Sequence, residues 1–315
     1  MYNLNRVSLI GAGAMGQGLA VQCAVTNHDV TLIDHRQKNI DDAQNHIRDI
    51  IQFLNENDLS KQDPISIMDK ITFSTDSEKG VETADVVLES ITEDVVAKQR
   101  LFKKITEAAP IDAVFASNTS SIQISEIAEG VPEYSDRIGG CHWWYPPYLL
   151  EPVEVIRGQR TSDETFERLC SFVESTERDP ILVERDVPGF VWNRIQFAVV
   201  RECLHIVEEG IATPQEVNRA IRDGYAIRTA AIGPFETMDI AGLDLFSAIA
   251  EDLYPELASD EKPQEQLRKY ADRGQTGIET RSGFFEYENT PEDIISRRDE
   301  RIAAIRRALN RSSPD

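Results

Sequence analysis

Residues 7–16 read VSLIGAGAMG, a short apolar run that leads directly into a glycine-rich turn. Four residues without polar alternation predict a strand that is buried on both faces of a parallel sheet. In the turn, Gly11 permits a tight bend, Gly13 lets a phosphate approach the backbone, and Gly16 lets the following helix pack on the strand. The segment therefore predicts the first strand, turn and helix of a doubly wound α/β sheet.

The same turn predicts a dinucleotide site. Ala14 and Met15 begin the helix, whose free N–H groups and partial positive charge attract phosphate. Asp34 ends the second apolar run about 20 residues later, where a carboxylate accepts hydrogen bonds from ribose hydroxyls. Because this carboxylate repels a 2′-phosphate, NAD is favoured over NADP, although Arg36 is close enough in sequence to meet such a phosphate. A turn or capping role is the alternative for Asp34.

Apolar runs and helical segments alternate through the first half of the chain. The runs are residues 7–10, 30–33, 86–89 and 114–116. This alternation predicts a doubly wound parallel sheet. After Pro188, helical spacing at residues 191–209, 214–222 and 294–310 predicts a mainly α-helical region. We expect a Rossmann-type domain at residues 1–187, followed by a helical domain at residues 188–315 that completes the cleft.

Acidic residues dominate the composition. Asp and Glu total 55 against 33 Lys and Arg, which gives a net charge of −22 and disfavours nucleic acid and anionic membranes as partners. No apolar run is long enough to cross a bilayer. The four cysteines lack paired spacing, so we expect neither disulfides nor a metal site, and a cytoplasmic location. Acidic excess with few lysines is typical of salt-loving microbes, and an acidic mesophilic enzyme is the alternative.

Two stretches in the middle of the chain carry an acid–base pair. Residues 141–147 read CHWWYPP, and residues 152–155 read PVEV, so that Glu154 follows His142 after twelve positions. Imidazole titrates near neutral pH, and a carboxylate partner fixes its tautomer and stabilises its charged form. Such a pair can take a hydroxyl proton while hydride leaves a carbinol carbon. The alternative is a packed histidine beside Trp143 and Trp144, which we expect to be packing residues rather than a ligand cage.

With the stretches 117–121 (SNTSS), 188–194 (PGFVWNR) and 282–285 (SGFF), these motifs resemble the 3-hydroxyacyl-CoA dehydrogenase superfamily over nearly the whole chain. The resemblance implies NAD as cofactor and reversible hydride transfer at a 3-hydroxyl. It also implies that His142 is the base and that Glu154 orients it.

The resemblance assigns further roles. Ser120 and Asn193 match the pair that hydrogen-bonds the substrate oxygen and the histidine region. Glu93 and Lys98 match positions near the nicotinamide ribose. Local hydrogen bonding, as a turn for Ser120 or a helix cap for Asn193, is the alternative for the first pair.

Several departures from the family pattern concern the substrate. Tyr145 stands where the family has Asn before proline, and Glu279 stands where CoA-using relatives have lysine. Residues 41–70 are acidic where those relatives carry a lysine-bearing helical hairpin. A CoA moiety carries about four negative charges, which an acidic segment would repel.

Arg228 lies in residues 225–234, YAIRTAAIGP. This stretch looks like the loop of relatives that act on small free acids, the gulonate 3-dehydrogenase (lambda-crystallin) and carnitine dehydrogenase groups. A guanidinium there can bind a carboxylate bidentately, and a surface or dimer-interface arginine is the alternative.

We therefore expect an NAD-dependent dehydrogenase that acts as a homodimer on a small free 3-hydroxycarboxylate. A short-chain 3-hydroxyacyl-CoA such as 3-hydroxybutyryl-CoA is the alternative substrate. A crystallin-like structural protein is the alternative from another class, and an NAD-sensing regulator lacks any added DNA-binding helix pair or basic patch.

Overall fold

The computed structural model describes Tyr2 and residues 4–310, which form an eight-stranded sheet with surrounding helices. The strands are β1 Arg6–Ile10, β2 Asp29–Ile33, β3 Ile71–Ser74, β4 Val86–Glu89, β5 Val114–Ser117, β6 Ile138–Trp143, β7 Pro152–Ile156 and β8 Asp179–Val183. The α-helices are α1 Ala14–Val25, α2 Gln37–Glu56, α3 Pro64–Asp69, α4 Ser77–Val81, α5 Val95–Ala108, α6 Ile124–Ala128, α7 Asp163–Ser175, α8 Trp192–Glu208, α9 Pro214–Ala220, α10 Ala226–Ala231, α11 Pro234–Ala241, α12 Leu243–Leu253, α13 Glu265–Asp272 and α14 Pro291–Asn310. Three short 3-10 helices (Pro132–Arg137, Tyr254–Glu256 and Ile278–Thr280) and a π-helix (Ile221–Tyr225) complete the elements.

The strands lie in the order β3-β2-β1-β4-β5-β6-β7-β8. The order reverses between β1 and β4, and ligands of doubly wound sheets bind at such a switch point, outside the carboxyl ends of the strands. The predicted doubly wound sheet is confirmed, and all four predicted strands form. One pair departs from the parallel arrangement, because β6 runs antiparallel to β7.

Two hydrophobic clusters hold the helices against the two faces of the sheet. One contains Leu9, Leu32 and Leu169 and packs α1, α2 and α7 on one face. The other contains Phe102 and Phe115 and packs α4, α5 and α6 on the opposite face. Each such side chain contributes about 1.5–3 kcal/mol when it is fully buried, so this double layer fixes the edge at which the loops converge.

The acidic stretch at residues 41–70 forms α2 and α3. In α2, Ile40, Ile47 and Ile51 are buried at helical spacing, while Asp41 and Asp49 are exposed on the outer face. The helix is therefore amphipathic, and its acidic side faces solvent.

The chain divides into two compact units. One unit runs to Asn193 and resumes at Arg297, and the other is Arg194–Ser296. The division falls a few residues after the expected boundary at 187/188. The last helix, α14, is divided between the units: residues 291–296 fall in the second unit, and the helix from Arg297 on falls in the first, where Ala303 is fully buried in the same cluster as α1 and α2.

The second unit contains α8 from Arg194 on, the helices α9 to α13 and the first six residues of α14, as the predicted helical region requires. No helix in the described part of the chain is both long enough and apolar enough to cross a membrane.

Candidate active site

The glycine-rich turn between β1 and α1 has room for a phosphate. Gly11 has φ +112°, and a Cβ at this position would lie 2.3 Å from the carbonyl oxygen of Ser90. A Cβ on Gly16 would lie 1.8 Å from the carbonyl oxygen of Gly11, so both positions require glycine. A Cβ on Gly13 would meet nothing within 4 Å, and no side chain caps the helix that starts at Ala14. The open space above Gly13 and the uncapped helix start, with Met15 in its first turn, fit the pyrophosphate of NAD.

Asp34 lies beside this turn, with its side chain 10% exposed. Its Oδ2 accepts a hydrogen bond from the Ala12 N–H at 3.1 Å. Its Oδ1 accepts from the Arg36 N–H and from Asn39 Nδ2, both at 3.0 Å. A carboxylate has about four acceptor positions, so Asp34 shapes the turn and keeps capacity for a ribose hydroxyl.

A cavity of about 280 Å³ continues from this carboxylate. Gly11, Asp34 and His35 contribute to one side of it, and Arg100 and Lys104 of α5 contribute to another. The cavity lies at the switch point, where the adenosine half of a dinucleotide binds in folds of this type.

His142 and Glu154 meet across the antiparallel pair of strands. They are directly opposed in the register of β6 and β7, and His142 Nδ1 lies 2.6 Å from Glu154 Oε2. The histidine side chain is 8% exposed and the glutamate side chain is fully buried. The twelve-residue spacing thus becomes a contact because the chain turns back between the two strands.

Four hydrogen bonds hold the Glu154 carboxylate. Besides the bond to His142, Oε2 accepts from Trp144 Nε1 at 3.4 Å. Oε1 accepts from the backbone N–H groups of Val191 and Trp192 at 2.7 and 2.9 Å, at the start of α8. Burial alone would raise the pKa of Glu154, but these hydrogen bonds outweigh it and hold that pKa below its ordinary value. The carboxylate therefore stays ionised, Nδ1 of His142 is committed to it, and Nε2 is left for a substrate.

Aromatic rings surround this pair. Phe190 packs against the His142 ring with centroids 5.9 Å apart, and Trp144 stacks on Trp192 at 4.1 Å. Trp143 is buried on the strand. Both tryptophans of residues 141–147 pack against protein, and the bond from Trp144 to Glu154 is a contact that the sequence did not indicate.

Ser120 and Asn193 also come together. The amide of Asn193, in the first turn of α8, donates to the carbonyl oxygen of Ser120 at 2.7 Å. The Ser120 side chain is exposed. The side chain of Asn193 therefore bridges α8 and the segment after β5 instead of capping its own helix.

Glu93 holds the segment that contains Ser120. Its Oε1 accepts from Thr119 Oγ1 at 2.6 Å, from the Ser120 N–H at 2.9 Å, and from the N–H and Oγ of Ser121 at 3.0 Å. Burial would raise the pKa of Glu93, but these bonds and the charge of Lys98 lower it to about 2. The glutamate expected near the nicotinamide ribose is thus an ionised anchor for the segment.

Lys98 is 1% exposed and lies between two carboxylates. Its Nζ is 2.6 Å from Glu89 Oε1 and 3.4 Å from Glu93 Oε2. Glu89, at the end of β4, also accepts from Ser117 Oγ at 2.6 Å. Glu89 was not among the residues predicted for the site, because it ends an apolar strand; its place at the carboxyl end of a central strand is the signal that could have indicated it. A second missed residue is Asn118, whose Oδ1 accepts from the Trp143 N–H at 2.8 Å.

Arg228 is exposed on α10 in the second unit. Glu279 lies in a 3-10 helix of the same unit. The first unit therefore assembles His142, Glu154, Ser120, Asn193, Glu93, Lys98, Asp34 and the glycine-rich turn. The contribution of Arg228 stays a prediction.

Two consecutive family models match the chain. Residues 6–187 match the NAD binding domain of 3-hydroxyacyl-CoA dehydrogenase, and residues 189–287 match its C-terminal domain. The 5-formyl-3-hydroxy-2-methylpyridine 4-carboxylate 5-dehydrogenase of Mesorhizobium japonicum is 28% identical over 309 residues, 97% of this chain and 98% of the relative. A probable 3-hydroxybutyryl-CoA dehydrogenase of Deinococcus radiodurans is 33% identical over 283 residues, 90% of this chain and 100% of the relative.

Solved structures agree. A 5-formyl-3-hydroxy-2-methylpyridine 4-carboxylic acid 5-dehydrogenase, described as an NAD+-dependent dismutase, has a TM-score of 0.90 at 27% identity and covers 98% of this chain and 99% of its own. The (S)-3-hydroxybutyryl-CoA dehydrogenase of Ralstonia eutropha has a TM-score of 0.74 at 30% identity and covers 91% and 100%. The chain therefore belongs to the 3-hydroxyacyl-CoA dehydrogenase family and is an NAD-dependent oxidoreductase that acts on a CH–OH group.

Proposed function

We propose that this enzyme oxidises, reversibly, the 3-hydroxyl of a small free carboxylic acid, with His142 as the group that takes and returns the hydroxyl proton. The observation that carries the catalytic part is the buried 2.6 Å contact between His142 Nδ1 and Glu154 Oε2. A histidine held this way presents Nε2 as a base, and an ionised carboxylate on the other nitrogen stabilises the imidazolium that forms.

The substrate oxygen is held by neighbouring donors in this proposal. Asn193 uses one amide hydrogen on Ser120, and we assign its second amide hydrogen to the substrate. The exposed Ser120 hydroxyl makes only a long bond, 3.4 Å, to Glu93 Oε1, and we assign it as the second donor, which turns from Glu93 to the substrate oxygen. Bound NAD supplies the carbon that accepts the hydride. Glu93 and Lys98 act indirectly, since they fix the segment from which Ser120 projects.

Three observations support a free carboxylate as the substrate class. The relative named for a pyridine 4-carboxylate matches nearly the full length of the chain, and a solved structure of an enzyme of that name has the TM-score of 0.90. The outer face of α2 is acidic, and the net charge of −22 opposes a polyanionic CoA group. Arg228 is an exposed guanidinium that can bind a carboxylate bidentately.

A short 3-hydroxyacyl-CoA is the second candidate. The observation in its favour is the 33% identity to the probable 3-hydroxybutyryl-CoA dehydrogenase, which exceeds the 28% identity to the pyridine carboxylate enzyme. Both substrates would react through the same proton transfer to His142. They differ in the group that the enzyme must bind beyond the reacting carbon, which is a free carboxylate in one and a CoA thioester in the other.

The test compares kcat/KM with NAD for free acids (3-hydroxybutyrate, gulonate, carnitine) and for 3-hydroxybutyryl-CoA. We expect a free acid to be the better substrate, and Arg228→Ala to lower its kcat/KM roughly 100-fold because a desolvated carboxylate is left unpaired. Arg228→Lys keeps the charge but loses the planar fork, so KM should rise. The matched control is Arg222→Ala, which removes another exposed arginine of the same unit. A thioester that is far better in the wild type and indifferent to Arg228→Ala would establish the second candidate instead.

We also propose a homodimer in the cytoplasm. Among the described residues, the helices α9 to α13 bury none of their side chains, and large apolar side chains such as Ile211, Phe235, Ile240 and Tyr254 are exposed in this unit. An apolar surface of this kind on an ordinary enzyme marks a protein interface, and a second copy of the chain is the simplest occupant. Four free cysteines are typical of a reducing compartment.

A further inference from the structure

The helix α14 lies outside both family models, since the second model ends at residue 287. It nevertheless returns to the first unit. Ala303 is fully buried in the hydrophobic cluster of α1 and α2, and Ile302 packs beside it. A segment beyond the family's two domains therefore packs on the core of the dinucleotide-binding unit.

Polar side chains of α14 hold residues 144–151, the loop that joins β6 to β7. Asp299 Oδ2 accepts a hydrogen bond from the Tyr148 hydroxyl at 2.9 Å, and both residues are buried. Arg306 Nε donates to Glu151 Oε1 at 3.0 Å, and its Nη1 donates to the Tyr148 carbonyl oxygen at 3.2 Å. The bond from Tyr148 to Asp299 is buried, the bonds of Arg306 are partly buried, and hydrogen bonds to charged groups are among the stronger ones, so this loop has a defined position.

A further contact reaches the start of the loop. The guanidinium of Arg298 lies over the Tyr145 ring, 4.9 Å from its centroid, and Arg298 Nε donates to Asp299 Oδ1 at 2.8 Å. Tyr145 is 45% exposed, at the carboxyl end of β6. Consecutive residues of α14 thus engage both Tyr145 and Tyr148.

The other side of the loop rests on α1. A Cβ on Gly18 would lie 2.7 Å from Pro147 Cγ and 3.1 Å from Tyr148 Cδ1, so no space remains between loop and helix. The helix α1 is the one that begins at the glycine-rich turn, and the loop connects the strands that carry His142 and Glu154. A shift of this loop would therefore move the start of α1 at the glycine-rich turn and the strands that carry His142 and Glu154.

We infer that α14 is a positioning element of the active site, and that Asp299 and Arg306 hold the 144–151 loop against α1 so that His142, Glu154 and Tyr145 keep their places. The inference rests on the proposed function, because it assumes that His142 is the base. Displacing a reacting group by about 1 Å can cost about 100-fold in rate, whereas loss of a surface contact costs stability alone.

The experiment compares Arg306→Gln, Tyr148→Phe and the conservative Arg306→Lys with a control, Arg301→Gln, which removes an exposed arginine of the same helix. The readouts are the thermal midpoint, the Kd for NADH, KM, and the single-turnover rate of NADH formation. We expect Arg306→Gln and Tyr148→Phe to lower the single-turnover rate tenfold or more, to leave KM within about twofold, and to bind NADH still. Arg306→Lys should recover part of the rate, and Arg301→Gln should match the wild type.

The inference is overturned if Arg306→Gln and Tyr148→Phe lower the thermal midpoint but react at the wild-type single-turnover rate. It is also overturned if Arg301→Gln slows the reaction as much as Arg306→Gln. If Tyr148→Phe does not fold, Arg306→Gln and Arg306→Lys decide the question alone. Wild-type activity in His142→Ala would instead contradict the proposed function.

Discussion

The two ring nitrogens of His142 have different surroundings, and this difference defines its chemistry. Nδ1 faces a carboxylate that also accepts two backbone N–H groups. Those N–H groups belong to the start of α8, whose partial positive charge further favours the ionised form of Glu154. The position of one helix end therefore sets the charge of the carboxylate and, through it, the tautomer of the base.

His142→Ala should lower turnover by roughly 10²–10⁴-fold while NADH binding is nearly retained, because the ring is needed for proton transfer. Glu154→Gln should lower turnover as well, since a neutral amide cannot stabilise the imidazolium. The check is kcat on the best substrate of the panel, with Kd for NADH from fluorescence. His46→Ala is the control, because His46 is exposed on α2. Wild-type turnover in His142→Ala would contradict the assignment of His142 as the base.

At the level of elements, one side chain makes most of the hydrogen bonds to the segment 119–121 that follows β5. Glu93 accepts hydrogen bonds from three consecutive residues of this segment, and the Lys98 ammonium lies 3.4 Å from the other oxygen of the Glu93 carboxylate. The pKa of Glu93, about 2, lies below the pKa of about 4.3 of a free glutamate. The ionised form therefore stabilises the fold above about pH 4.3, and this contribution is lost as the pH falls towards 2.

Glu93→Gln should accordingly destabilise the protein more at neutral pH than in acid. The measurement is the free energy of unfolding in urea at about pH 7 and about pH 3 for the wild type and the variant. Glu129→Gln, which alters an exposed glutamate, should leave the free energy of unfolding nearly unchanged at both pH values. An equal difference between wild type and Glu93→Gln at the two pH values would show that the low pKa is not what anchors the segment.

The elements also show how far the sequence could be interpreted. Strands that are apolar on both faces, such as β1 and β4, were predicted, because burial on both sides leaves an unambiguous pattern. The strands β3, β6, β7 and β8 were missed, since β3 and β8 are partly exposed, β6 contains two glycines and β7 begins with proline. The register that opposes His142 to Glu154 depends on where the chain turns back, which local propensity does not encode.

The same reasoning explains the missing site residues. Glu89, at the end of β4, contacts Lys98 of α5, and Asn118, which follows β5, contacts the backbone of Trp143 in β6. The contact between Asn118 and Trp143 requires the pairing of β5 with β6, and the sequence indicates the sheet order only as a class. The contact between Glu89 and Lys98 requires the packing of α5 on the end of β4, which the apolar strand pattern does not indicate. The motifs themselves were local in sequence, and for that reason the glycine-rich turn and the SNTSS segment could be recognised.

For the whole molecule, the net charge of −22 and the exposed apolar surface of the second unit act against each other. Each protomer of a dimer brings the same negative field, so association must overcome a repulsion that salt screens. Apolar burial, in contrast, is strengthened or little changed by added salt. The balance should therefore move towards the dimer as the salt concentration rises.

We expect sedimentation to show a dimer whose dissociation constant falls at least tenfold between about 0.1 M and about 2 M KCl, because the screening length drops from about 10 Å to a few ångströms. Phe235→Asp should favour the monomer at both concentrations, since it places a charge among exposed apolar side chains of the second unit. Ile111→Asp, which alters an equally exposed apolar side chain of the first unit, should leave the dimer intact. A monomer at every salt concentration would contradict the dimer, and a salt-independent dissociation constant would contradict the role of charge. Retention of the dimer in Phe235→Asp would place the contact on another surface.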